Sequence, residues 1–440
     1  MLFTISYIKK SHLPAPNVQF YYVPCNVTIE KTEDTKVNTA NDNWLEAVIR
    51  MPKTHVKRLF CDFIRTASLF WDPTYGPITL ILDEEDKDDK FFPGNFLNLS
   101  LPFKFQLEFE PPAPNKERFA SVAKRGRARY PGYLRQLYSS HLMDLYTKSP
   151  IIAWFDTDVY LTSLITKDRI LNNGKLLNKG MNFFSGPKMR KQGLIPIWDE
   201  QTLAFLGVRS VSNFMSYFPV MLWRSTIKNC REYIMKRFKG DKWDEVFFDA
   251  TEQALTSIEK LGFDTQGQSR TSSPVIILMT YAYFFEHDKY EWHLDLMGDS
   301  LENHNKRFAG TPFKISEFDL SPELHSTIHK TWNSRAIQVL TNSVCHTHKA
   351  KDSQKVPAHC TNLDKPHMDL FMFEDWTQHF EGWCRGQVGK ELCSKLIRKH
   401  YEDVGEVLRG NDRLFNTSHI RVIENMALEY YQIKCLPFQY

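Results

Sequence analysis

The sequence predicts an α/β protein: a mixed, mostly parallel sheet flanked by helices, with a helical, cysteine-containing C-terminal appendage. Three observations predict it. Apolar residues at helical spacing over Val56–Trp71 give way, through a Pro/Gly turn, to the short apolar run Ile78–Leu82. The same order recurs: the amphipathic stretch Tyr133–Tyr146 precedes five consecutive apolar residues, Ile151–Phe155. Helix, turn and buried strand in repetition are what an α/β sheet produces. Finally, five of the eight cysteines fall in the last hundred of the 440 residues, after the periodic region has ended.

The elements follow in order. Residues 1–50 carry no sustained period and read as a strand and loop region packing on the core, with Thr32–Asp42 a loop. The helix over Val56–Trp71 rests on Leu59, Phe60, Phe63, Ile64, Leu69 and Phe70. The strand Ile78–Leu82 ends in Asp83, Glu84 and Glu85. Phe103–Phe109 alternates apolar and polar residues as a strand does, and Pro111 and Pro112 stop it. Lys116–Arg129 is basic and exposed at its start. Pro131 and Gly132 form a turn. The helix Tyr133–Tyr146 gathers Leu134, Leu137, Tyr138, Leu142, Leu145 and Tyr146 on one broad face. Further strands are expected at Phe218–Trp223 and Pro274–Met279, and helices at Thr226–Phe238 and Trp243–Leu261. After about residue 350 the chain turns polar, and Lys390–Leu408 is its firmest helix. The organisation is therefore a flanking region 1–50, a catalytic-sized domain 51–345 and an appendage 346–440.

Charge and targeting signals narrow the partners. With 56 basic against 52 acidic residues, the net charge of +4 gives no basic groove for nucleic acid. The 32 Phe and 10 Trp supply rigid apolar groups for packing and for the walls of sugar or base sites. The N-terminus lacks the charge order and cleavage signal of a signal peptide. The longest apolar run, Val275–Phe285, is too short for the roughly 20 residues of a membrane span.

No C-x-x-C pair exists, which argues against a structural zinc site. The spacings Cys345/Cys360 and Cys384/Cys393 suit local disulfides, with free buried thiols as the alternative. Sequons stand at Asn26, Asn98 and Asn416. Together they point to a glycoprotein of the secretory lumen, Golgi or ER, with the cytoplasm as the other location left open.

The sharpest chemical feature is IIAWF followed by Asp156, Thr157 and Asp158. A buried strand delivers two carboxylates to its carboxyl end, the edge where open α/β sheets bind ligands. Two carboxylates held together repel unless a cation sits between them. A hard divalent cation takes such oxygen ligands and bridges to a diphosphate. A second D-x-D, Asp86 and Asp88, lies in a charged run and reads as a solvated loop.

The stretch Gly132–Leu161 resembles the core of an A-type (GT-A, Rossmann-like) nucleotide-sugar glycosyltransferase. It is closer still to a little-characterised group of glycosyltransferase-like chains from animals and bacteria. The resemblance takes in Ser68–Asp86, Ser212–Thr226 and Ser273–Trp292, so it covers about 60–345. It implies a transferase with a Mn or Mg cofactor, a nucleotide-sugar donor and a hydroxyl acceptor on a glycan, protein or lipid. It implies that Asp156 and Asp158 hold the metal and the donor diphosphate. By the same resemblance, Gly132, Tyr133, Arg135 and Gln136 help hold the nucleotide, and Asp83 touches the nucleoside.

A-type enzymes often add a late histidine to the metal. His329 is favoured for it, ahead of His325, His287 and His293. The acceptor side is expected at Met215–Pro219 and Trp198–Glu200, with Asp199 or Glu200 as a general base. Relatives carry an acidic residue near the block matching Ser273–Ile276; here that block has none, and Glu286 is a substitute or else a salt-bridge partner of His287 or Lys289. Two other functions are weighed against this one. A catalytically inactive glycosyltransferase-like binding protein would keep the fold without the base. A haloacid-dehalogenase-type phosphatase would also set D-x-D after a strand.

Overall fold

The computed structural model describes residues 43–320 and 418–435, apart from 52–54, 73, 84, 86–100, 127–130, 157–160, 162–164, 166, 182–193, 215–218, 262–272 and 297–298. Two compact units divide after Glu30, and all described residues belong to the second. Asp86, Asp88, Asp158, His325, His329, Thr32–Asp42, Lys390–Leu408, the three sequons and the two local cysteine pairs lie outside the described residues.

A five-stranded sheet carries the first half of this unit. The chain runs β1 (Leu45–Arg50), then the helix α1 over 56–70, then β2 (Ile78–Asp83) and β3 (Phe105–Glu110). Helices α2 (Lys116–Arg125), α3 (Pro131–Ser140) and α4 (Met143–Tyr146) lead to β4 (Ile151–Phe155). Next come α5 (Lys167–Ile170), β5 (Leu171–Asn172), β6 (Lys175–Met181) and α6 (Leu194–Leu206). After them follow β7 (Val220–Trp223), α7 (Arg224–Phe238), α8 (Trp243–Lys260) and α9 (Pro274–Phe285). β8 (Tyr290–Asp295), α10 (Leu301–Asn305) and α11 (Ser418–Tyr431) complete the described elements.

The large sheet has the order β3-β2-β1-β4-β7, parallel except for the antiparallel β4–β7 pair; β5, β6 and β8 form a smaller sheet. The fold class expected from the sequence is therefore the one observed.

The most consequential strand was not singled out by the sequence. β1 is the middle of the large sheet, although its sequence, LEAVIR, is interrupted by two charges. Glu46 is fully buried there. One carboxylate oxygen accepts from the Thr79 hydroxyl on β2, and the other accepts from the Lys148 and Ser149 amides at 2.9 and 3.1 Å. It thus joins the amino ends of three strands and is itself satisfied, as a buried charge must be. Gly76 comes so close to β1 that a Cβ would stand 2.7 Å from the Leu45 carbonyl oxygen, so only glycine fits.

Three helical expectations change. Pro274–Met279 is not a strand but the first half of α9. The Ser273 hydroxyl caps it by accepting from the Val275 amide at 3.2 Å, and Pro274 takes the first turn, where no N–H is needed. An unbroken apolar run has no period to tell a buried strand from a helix buried all round, and α9 is buried on nearly every side. Tyr133–Tyr146 is broken in two. The His141 and Leu142 amides bond three residues back, to the Tyr138 and Ser139 carbonyls, which tightens the turn and redirects α4. Leu145 consequently points to solvent, 66% exposed, instead of joining the apolar face. α1 is α-helical at both ends but π-helical over Leu59–Ile64.

The end of the chain is part of the core. Ile420, Ile423 and Ala427 of α11 are buried against α1. Cys61 of α1 is disulfide-bonded to Cys435, 374 residues away, and Glu424 of α11 accepts from Arg65 of α1 at 2.7 Å. A native disulfide typically contributes roughly 2–4 kcal/mol.

Two buried histidines predict a pH response. His141 lies against the rings of Trp243 and Phe205 and donates from Nδ1 to the Leu137 carbonyl. His304 is bonded through Nε2 to the Val211 carbonyl at 2.9 Å. Burial, with Arg231 and Arg307 nearby, depresses both to about 4. A depressed histidine leaves the folded state short of protons, so its stabilisation is complete above the unfolded value of 6.5 and is lost as pH falls toward 4. Between pH 7 and pH 5 each is expected to remove about 2 kcal/mol. Urea midpoints at the two pH values measure this; equal midpoints contradict it.

Candidate active site at the carboxyl edge of the sheet

The strand order dictates where a ligand fits. From β1 the chain moves outward to β2 and β3, then crosses back to place β4 on the other side of β1. The crossover directions reverse between β1 and β4, and in open α/β sheets the crevice outside the carboxyl ends at that point is the ligand site. Ile49 of β1 is paired with Phe155 of β4, so Arg50 and Asp156 are the next residues out on the two strands. Asp156, half-buried, is the first residue beyond β4. All five residues of β4 are buried, as a central strand's must be.

Beside this crevice stands a charged cluster. Asp83 and Glu110 are register partners at the ends of β2 and β3. Arg50 binds Glu110 in bidentate fashion, at 2.9 and 2.7 Å. Arg135 of α3 reaches the same edge. Its Nη1 is 2.9 Å from Asp83 and 2.6 Å from Glu85, and Nη2 donates to the Pro111 carbonyl at 3.0 Å. Its Nε is 2.5 Å from Glu110 Oε1 without aiming its N–H along the line between them. Glu110 is fully buried and Arg135 nearly so. Burial raises the Asp83 carboxyl above its usual range, against the lowering pull of the Glu85 amide and Arg135. The Lys116 ammonium, by contrast, holds Glu85 below its usual range.

The structure thus brings Asp83 and Arg135 together at the predicted edge. Gly132 is exposed at the start of α3, where an added Cβ would meet nothing within 4 Å. Gln136 is half-buried on the same helix. The side chain of Tyr133 is outside the description. Arg50 and Glu110 are members of the cluster that sequence reading did not name, and Glu85 was named only among the acids that end β2; the only signal for Arg50 and Glu110 is a charge at the end of an apolar run.

Asp199 and Glu200 belong to a second cluster, on the helix α6. Both are buried. Asp199 accepts from the Ser210 hydroxyl at 2.6 Å and from Arg307, with Arg209 at 3.5 Å. Glu200 lies 3.7 Å from Arg209, and burial raises its carboxyl above the ordinary range. Glu286 is buried and pairs with Lys289 at 3.4 Å, while Asn229 donates to it at 2.6 Å. His287 pairs instead with Asp319, at 2.8 Å, and His293 with Glu291, at 3.1 Å.

Asp156 offers hard carboxylate oxygen at a strand end, the donor type that suits Mg or Mn. Among the described residues, no three His, Cys, Asp or Glu stand close enough together to hold a metal ion. Among them, too, no helix is long and apolar enough to cross a membrane.

No protein-family model matches the chain, and no curated protein matches it. Among solved structures it is similar to core-mannan synthase A from Aspergillus fumigatus in its Mn/GDP form. That match has 12% identity over 58% of this chain and 74% of the other, with a TM-score of 0.32. It is also similar to mouse xyloside xylosyltransferase 1 in its apo form, at 12% identity over 57% of this chain and 86% of the other, with a TM-score of 0.28. At these values neither likeness carries an argument for the activity of this chain.

Proposed function

We propose that the chain is a metal-dependent glycosyltransferase that moves a sugar from a nucleotide donor to a hydroxyl acceptor on a glycan, protein or lipid. The observation that carries this reading is the exit of the buried strand β4 into Asp156, with Asp158 two residues on, beside the crevice where the strand order reverses.

Asp156 and Asp158 would hold Mn or Mg, with Asp158 as the direct ligand and His329 as the expected further one. A divalent cation bound there supplies a Lewis acid for the departing diphosphate. The chain's own residues do the positioning. Asp83, at the end of β2, would accept from a ribose hydroxyl, the role an acid plays in dinucleotide-binding sheets. Arg135 holds Asp83 through its guanidinium, and Glu110 holds Arg135, so the acceptor oxygen is fixed before a nucleotide arrives. The Cys61–Cys435 bond supports an oxidising compartment such as the secretory lumen.

A thermal-shift panel tests the reading. UDP, GDP and their sugar conjugates are each added with and without Mn. One nucleotide class is expected to raise the melting temperature only with Mn, by the equivalent of about 2.7 kcal/mol at a hundred times its dissociation constant. No shift with any of them contradicts the proposal.

A further inference from the structure

Three neighbouring strands of the large sheet end in charge at the carboxyl edge. In the sheet order β2-β1-β4, Asp83 ends β2, Arg50 ends β1 and Asp156 follows β4. Arg50 is in register with Ile81, and Ile81 with Glu108. Asp83 and Glu110 stand two residues further out on their strands, so by strand alternation they share the sheet face of Arg50. A strand spacing of about 4.8 Å sets the backbones of β2 and β4 roughly 10 Å apart, with Arg50 on the strand between them.

The guanidinium of Arg50 is only partly engaged. Such a group carries five N–H donors. Arg50 uses one on Nε and one on Nη2, both for Glu110. Its Nη1 makes no bond to a described residue, and it reaches solvent on a side chain that is 17% exposed. The edge formed by Nη1 and the second N–H of Nη2 is therefore open. Two parallel donors on such an edge match two oxygens of a phosphate. The other described cations of the cluster differ. Arg135 is nearly buried, and each of its nitrogens faces a carboxylate or a carbonyl. Lys116 is an exposed point charge paired with Glu85. Glu110 is fully buried and faces Arg135 as well, so it holds the Arg50 guanidinium in place before any ligand arrives.

We propose that Arg50 binds a phosphate of the nucleotide donor with its Nη1–Nη2 edge, while Glu110 holds the Nε–Nη2 edge. The proposal rests on the reading of the crevice as a nucleotide site, and it adds an anion contact made by the chain itself. Because β1 lies between β2 and β4, Arg50 meets the ligand between the part that Asp83 would hold and the part that Asp156 would hold. A fixed cation there also stabilises the charge left on the diphosphate as the sugar departs.

The test uses the full chain with Arg50→Gln, which removes the charge and the paired donors, and Arg50→Lys, which keeps a charge facing Glu110 and loses the paired donors. With saturating Mn, affinities for UDP and GDP are measured by calorimetric titration. Those for uridine and guanosine, which lack the phosphates, are measured by NMR titration. Urea midpoints record whether the fold is kept. Arg50→Gln is expected to weaken binding of the nucleoside diphosphate about 10–100-fold, the range for hydrogen bonds to a charged group, and to leave the matching nucleoside unchanged. Arg50→Lys should show a smaller loss, again in the diphosphate alone. Wild-type affinity for the diphosphate in Arg50→Gln overturns the proposal. So does an equal loss for nucleoside and diphosphate, which would mean that Arg50 acts only by supporting Glu110 and the Asp83 end of the crevice. If the wild-type chain binds neither nucleotide, the reading of the crevice fails and this proposal falls with it; wild-type binding that Arg50→Gln leaves intact removes this proposal alone. Should Arg50→Gln fail to fold, the same comparison of diphosphate with nucleoside in Arg50→Lys decides, with the same outcomes.

Discussion

Alanine at Asp158 is expected to abolish Mn-dependent nucleoside diphosphate binding, and alanine at Asp156 to weaken it severely. Loss of an outer-shell partner costs a metal site 10–100-fold, so loss of a direct ligand should cost more than about 100-fold. The fold should be unaffected, because Asp156 stands beyond the last paired residue of β4 and the strand is held by its five buried residues and by β1 and β7. Isothermal titration with Mn and either UDP or GDP, alongside circular dichroism, separates the two effects. Binding that survives in Asp158→Ala removes the carboxylate pair from the site.

The second large effect is on stability. Glu110→Ala leaves the Arg50 and Arg135 guanidiniums at the edge of the sheet without the carboxylate that both face. Breaking a buried ion pair on one side costs roughly 3–5 kcal/mol, because a buried charge is left uncompensated. Arg135 retains Asp83 and Glu85, and Arg50 is 17% exposed, so the loss should fall near the lower end, about 3 kcal/mol. Urea unfolding at neutral pH measures it. A loss under about 1 kcal/mol would mean that water already satisfies the two guanidiniums and that the cluster does not hold Asp83.

What the sequence disclosed depended on whether a residue's partner was near or far along the chain. β4 was legible because its apolar run is only five residues long and is bounded by Ser149 and Pro150 before it and Asp156 after it, the length and punctuation of a strand. α7 and α8 were legible from their period, and β2 from its run and the acids that end it. β1, the centre of the sheet, was not. Glu46 and Arg50 break its apolar run, and each is tolerated only through partners 33 to 103 residues away. α9 was misread because a helix buried on all sides has no polar face to reveal its period.

The site divides in the same way. The carboxylate pair after β4 could be read directly from its setting. That Arg135 is committed to three carboxylates could not, since none of them lies near it in sequence. The disulfide was beyond reach as well. Cysteine spacing favoured neighbours, whereas Cys435 is joined to Cys61, across nearly the whole chain.

The proposed function requires the crevice between the carboxyl ends of β1 and β4 to bind a metal–diphosphate pair. Titration of the wild-type chain with UDP and GDP, first without divalent metal and then with saturating Mn, tests it most directly. Binding of at least one nucleotide that appears only with Mn is the predicted result. Binding equally strong without metal, or no binding of either nucleotide with Mn present, contradicts it.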